Sequence, residues 1–180
     1  ERCNQLDLLC FSTPFDESAV DLLEDLNTPA YKIASFEIID LPLIKYVAKK
    51  GKPMIISTGM ANLDEISDAV SVAKDNGCKD LILLHCISGY PAPVNQSNLY
   101  TIQDLKKRFN LNIGLSDHTM GTEVSVAGVA LGACLIEKHF TISRKSNSPD
   151  SAFSLEPKEL ERLCVETHNA WSALGNSGYE

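Results

Sequence analysis

Two stretches of the 180-residue chain end an apolar run in residues suited to binding rather than packing. GLSDHTMG (114–121) follows directly on LNI, and LIEKHF (135–140) closes the next apolar run. Each delivers an imidazole, His118 and His139. Two histidines with open positions suit a divalent ion that must also take water and substrate; neutral, hydrogen-bonded imidazoles are the alternative. Lys32, Ser35, Ser57, Ser88 and Ser116 are donors of the type that hold an anion such as phosphate. Taken singly, each serine also reads as a cap or turn residue, and no GxGxxG or GxxxxGK loop supports the phosphate reading. Glu37 and Glu137 are candidates for proton transfer, with an ion pair to a lysine as the alternative for Glu137. Lys32 and Lys138 have the chemistry for Schiff bases. Asp150 can accept substrate hydroxyls or serve as an ordinary turn residue, while His85 and His168 read as structural.

Such residues act together only if rigid elements gather them. Short apolar runs rich in branched residues recur at 6–11, 30–35, 53–58, 80–86, 111–116 and 134–139. Their nearly continuous apolar character predicts strands buried on both faces, as in a parallel sheet. Amphipathic stretches intervene. A helix is expected over 17–26, another over 63–76 with Asn62 and Glu65 at capping-box spacing, and a last over 157–174. The last opens with Pro157, stops at Gly175, and is expected to bury Leu160, Leu163, Cys164, Ala170, Trp171 and Leu174. The fold class is therefore α/β. An open doubly wound sheet and a (β/α)8 barrel of the TIM type both fit, and a full barrel takes eight strands and about 250 residues. Six βα units read as a barrel truncated at its first two strands, with residues 1–180 as a partial catalytic domain. In either architecture, the carboxyl ends of the strands are where ligands bind. All the candidates above except Asp150 and His168 fall at or just beyond such ends.

A net charge of −8 and a pI near 5.0 argue against nucleic acid or an anionic membrane as partner. No apolar run is long enough to span a bilayer. Six cysteines at irregular spacing, with no CxxC, are expected to be reduced, packed thiols in a cytoplasmic protein.

The motifs YKIASFE, GKPMIISTGM, LLHCISGYPAP, GLSDHTMG, LIEKHFT and SPDSAFSLEP, in this order, resemble the sialic-acid synthase family of nonulosonate synthases. The resemblance runs from about FSTPFD to the final helix. It implies condensation of phosphoenolpyruvate with an N-acetylated amino-sugar aldehyde, giving a nine-carbon nonulosonic acid and phosphate. KIASFEI and PDSAFSL look most like pseudaminic acid synthases, with N-acetylneuraminate and legionaminate synthases as alternatives. By the same resemblance, His118 and His139 match divalent-metal ligands, with manganese the usual ion and magnesium or cobalt possible. Lys32, Ser35, Ser57 and Ser116 match the phosphoenolpyruvate contacts, and Ser88 falls near a position often held by asparagine. Glu37 matches a proposed acid/base and Asp150 a sugar contact. The family's C-terminal antifreeze-like domain, which completes a homodimer, is not part of these residues. The 180 residues alone are expected to be inactive. A Schiff-base aldolase and a non-catalytic sugar-binding fragment are the rival readings.

Overall fold

The computed structural model describes residues 2–146 and 148–178. Asn147, within the SNSPDSAFSLEP stretch, and the last two residues of GNSGYE lie outside them. The chain divides into two compact units, Glu1–Leu83 and Leu84–Glu180. The strands stand in the sheet in their sequence order, β1-β2-β3-β4-β5, as successive βα units require. This is the TIM-type α/β class expected, with five strands among the described residues.

In the first unit, α1 (Arg2–Gln5) and α2 (Glu17–Asp25) precede β1 (Tyr31–Ile33). A 3-10 turn (Phe36–Ile39) and α3 (Leu41–Ala48) lead to β2 (Met54–Ser57), and α4 (Leu63–Asp75) follows. β1 and β2 pair in parallel, with Lys32 opposite Ile55 and Ile33 opposite Ile56. Tyr31, Ile33, Met54 and Ile56 are fully buried, the outcome expected of strands covered on both faces. α4 is the helix predicted. Asn62 Oδ1 accepts the Asp64 and Glu65 amides, and Glu65 returns a carboxylate to the Asn62 amide. Its apolar stripe, Ile66, Ala69, Val70 and Ala73, is buried. Residues 6–11 differ from expectation: they form no strand, and Leu6, Leu8, Leu9 and Phe11 are exposed. One long bond, Lys32 N–H to Ser12 O at 3.5 Å, follows them where a ladder would be needed.

The second unit takes in the end of β3 (Leu81–Cys86) and continues through a 3-10 turn (Val94–Gln96) and α5 (Tyr100–Phe109). Then come β4 (Asn112–Ser116), α6 (Glu123–Ala130), β5 (Ile136–Glu137) and α7 (Pro157–Leu174). β4 and β5 are parallel, with Leu115 opposite Ile136 and Ser116 opposite Glu137. They lie close because residue 114 is glycine. A Cβ there would stand 2.6 Å from both Leu135 O and Leu84 Cδ2. α7 has the boundaries expected but not the burial. Leu163 is its one buried residue, while Cys164, Trp171 and Leu174 are exposed. The stripe has helical spacing, yet much of it stays exposed.

All six cysteines are free thiols. Only Cys78 and Cys86 are packed in the core, and Cys10, Cys134 and Cys164 are exposed, so the expected packing holds for two. Among the described residues, no helix is long and apolar enough to cross a membrane.

Candidate active site

In the first unit, the carboxyl ends of β1 and β2 bring Lys32 to Ser57. Lys32 Nζ donates to Ser57 Oγ at 2.7 Å and to Ile33 O at 3.2 Å. Both side chains are buried, and so is Ser35 just beyond β1. A buried ammonium next to hydroxyls is an arrangement that recognises an anion. Glu37 sits in the 3-10 turn that follows. It is half-buried, and its Oε2, shut off from solvent, accepts no hydrogen bond among the described residues.

In the second unit, successive side chains of β4 and β5 point to opposite sides, as in any strand. On one side, Ser116 Oγ donates to Glu137 Oε1 at 2.7 Å. One step further along that side, the rings of His118 and His139 stand 5.3 Å apart. Glu137 thus accepts from a hydroxyl, and Lys138, next to it in sequence, pairs with Asp117. His118 Nδ1 lies 2.9 Å from Ile87 O, and His139 Nδ1 lies 3.5 Å from Asp150 Oδ2. An imidazole that donates through Nδ1 keeps the lone pair of Nε2 for another partner. Burial draws the His118 pKa down, but the Cys86 thiol, the Ile87 carbonyl and Glu137 outweigh it, and the net shift is upward. Burial and then the neighbouring His118 lower His139, against the upward pull of Asp150 and Glu137.

Ser88 follows β3, half-buried, with its Oγ shut off from solvent. Asp150 is exposed apart from its approach to His139. His85 is buried with Nε2 2.7 Å from Ser97 O, a packed structural histidine as read from the sequence. His168 is exposed on α7 beside Trp171.

Sequence reading passed over two rings. Tyr90 lies 4.4 Å from His118 and 6.0 Å from His139, ring centre to ring centre. Phe153, buried, stands edge-on to His139 at 5.1 Å and 5.6 Å from Tyr90. The aromatics within SGYPAP and PDSAFSLEP were the available signal, since an aromatic in a loop that follows a strand has no core of its own to fill.

The sequence matches the NeuB family over residues 1–179. The chain belongs to the NeuB family. It is 48% identical over 178 residues to the N,N'-diacetyllegionaminic acid synthase of Campylobacter jejuni, covering 98% of this chain and 52% of that protein. It is 45% identical over 175 residues to the pseudaminic acid synthase of Helicobacter pylori, covering 97% and 52%. The crystal structure of an N-acetylneuraminic acid synthetase from Leptospira borgpetersenii matches with a TM-score of 0.95 at 39% identity, covering 99% of this chain and 62% of that one. The NeuB-family chain thus spans about half the length of the relatives it matches. Those relatives are named as synthases of more than one nonulosonic acid.

Proposed function

We propose that this NeuB-family chain contributes substrate- and metal-binding residues to an enzyme that condenses phosphoenolpyruvate with an N-acetylated amino-sugar aldehyde. The products are a nonulosonic acid and phosphate. The observation that carries the reading is the His118–His139 pair. Its two imidazoles are adjacent, and each has Nδ1 beside an acceptor.

That donor set fits a divalent ion bound through the remaining nitrogens, because ligating histidines commonly give their other N–H to a carbonyl or carboxylate. Among the described residues no cluster of three or more His, Cys, Asp or Glu is placed to hold an ion, so water and substrate would fill the other positions. An ion held there, manganese with magnesium or cobalt as alternatives, supplies Lewis acidity toward a carbonyl oxygen. For the phosphate of phosphoenolpyruvate the first unit offers Lys32, Ser35 and Ser57, and the second offers Ser116 and Ser88. With the phosphate fixed, the methylene carbon attacks the aldehyde carbon, water adds to the former enol carbon, and the carbon–oxygen bond to phosphate breaks. Glu37, with a carboxylate oxygen to spare, takes and returns the proton. Glu137 orients Ser116, and Asp150 binds a sugar hydroxyl.

The finer reading is pseudaminic acid synthase. KIASFEI and PDSAFSL support it, and PDSAFSL places Phe153 against His139. The legionaminic relative at 48% identity supports the other branch. The enzyme is read as a cytoplasmic homodimer. The test uses the intact protein that carries this chain, with phosphoenolpyruvate, manganese and either N-acetylmannosamine or the diacetamido-trideoxy-altrose sugar. Phosphate release with the altrose sugar, abolished in His118→Ala, is expected. Release with N-acetylmannosamine instead moves the enzyme to the sialic branch, and release with neither means a different acceptor sugar or the non-catalytic reading.

A further inference from the structure

Behind the two histidines lies a pair of charges to which the proposed reaction gives no task. Asp117 and Lys138 each immediately precede a histidine, one residue past the ends of β4 and β5, and their side chains meet one another. Their side chains are 1% and 5% exposed, and Lys138 Nζ meets Asp117 Oδ2 at 3.0 Å. Every direction of the carboxylate is occupied. Oδ1 accepts the Thr119 amide at 2.8 Å and its hydroxyl at 2.7 Å, and Oδ2 also accepts the Ser125 hydroxyl at 2.6 Å. Lys138 Nζ also donates to Thr119 O at 2.6 Å. The backbone adds Asp117 N–H to Glu137 O at 2.9 Å.

We propose that the buried Asp117–Lys138 pair is a positioning device that sets the spacing of the His118 and His139 imidazoles for a divalent cation. The inference rests on the metal reading given above. The pair spans the strand ends one residue before each ring. A shift of either strand end that moved an imidazole would therefore also break a bond of the Asp117 cluster. It has an electrostatic side too. A lysine next to a cation site repels the ion, and Asp117 cancels that charge at 3.0 Å. Lys138, held by Asp117 and by Thr119 O, is not expected to act as a Schiff-base nucleophile.

The test measures Mn2+ affinity directly, by the electron paramagnetic resonance of free Mn2+, on the intact protein without substrate. The double variant Asp117→Asn/Lys138→Met leaves no unpaired buried charge and so is the one chosen to keep the fold. Its Mn2+ Kd is expected to rise about 10- to 100-fold, while its melting temperature and its affinity for phosphoenolpyruvate stay near wild type. Should that variant fail to fold, Ser125→Ala removes one bond to Asp117 and keeps both charges; about a threefold rise in Kd is expected there. A Kd within twofold of wild type in the folded double variant or, if that does not fold, in Ser125→Ala, overturns the positioning role and leaves the metal reading intact. Wild-type protein that binds no Mn2+ overturns the metal reading itself, and the positioning role with it.

Discussion

Lys32 Nζ and Ser57 Oγ meet at 2.7 Å, joining the carboxyl ends of two neighbouring parallel strands inside the first unit. Lys32→Met keeps most of the buried stem and removes the charge. The KM for phosphoenolpyruvate is expected to rise about 10- to 100-fold, the usual worth of a hydrogen bond to a charged group, with Mn2+ affinity unchanged. An unaltered KM in steady-state assays would remove Lys32 from the phosphate site.

Metal removal separates the synthase from the aldolase reading. Treating the intact protein with a chelator is expected to stop phosphate release, and manganese to restore it. Borohydride with substrates is expected to leave Lys32 and Lys138 unmodified by mass spectrometry. A reduced adduct on either lysine would favour Schiff-base chemistry instead.

His85 ties stability to pH. Burial pulls its pKa below the ordinary 6.5. The folded protein therefore takes up this proton at lower pH than the unfolded chain, and stability falls as pH drops below 6.5 toward the depressed value. His85→Gln retains a donor for Ser97 O and does not titrate. Its urea midpoint should vary less than wild type between about pH 7.5 and 5; equal slopes would dismiss His85 as the source.

The buried Tyr31 hydroxyl donates to Glu24, whose carboxyl this bond, then Lys52, holds below the ordinary 4.5. Tyr31→Phe is expected to cost about 1–2 kcal/mol at neutral pH. That stability is present above 4.5 and lost as pH falls through the depressed value, so the difference from wild type should shrink in acid. Chemical denaturation at two pH values measures it, and a constant difference would assign the loss to packing alone.

Gly114→Ala would press a methyl group against Leu135 O and Leu84 Cδ2. Overpacking of this kind costs about 1–3 kcal/mol. Wild-type stability in a urea titration would mean that the second unit absorbs the methyl group without strain.

Much of the frame was legible in sequence because it is local. Asn62 and Glu65 state the start of α4, and Pro157 and Gly175 bracket α7. What failed was not local. Residues 6–11 are apolar enough for a strand but lack a ladder, and α7 carries an apolar stripe on which Trp171 and Leu174 stay exposed. The Asp117–Lys138 pair was hidden for a related reason. Both residues can be read from the sequence, but their meeting depends on the register that sets Ser116 opposite Glu137. The contacts of Tyr90 and Phe153 with the histidines likewise depend on where two separate loops fold back.

The alternation at the ends of β4 and β5 gives the second unit's cluster a parity. Alternate positions along each strand end do different work: Ser116 meets Glu137 and His118 stands by His139, while Asp117 pairs with Lys138. A slip of β4 by one residue would not merely blunt the chemistry. It would drive an imidazole into the buried cluster and swing an aspartate out among the rings, two faults at once. Misregistered pairings are thereby penalised by the same residues that serve the correct one, and the strand ends proofread their own alignment.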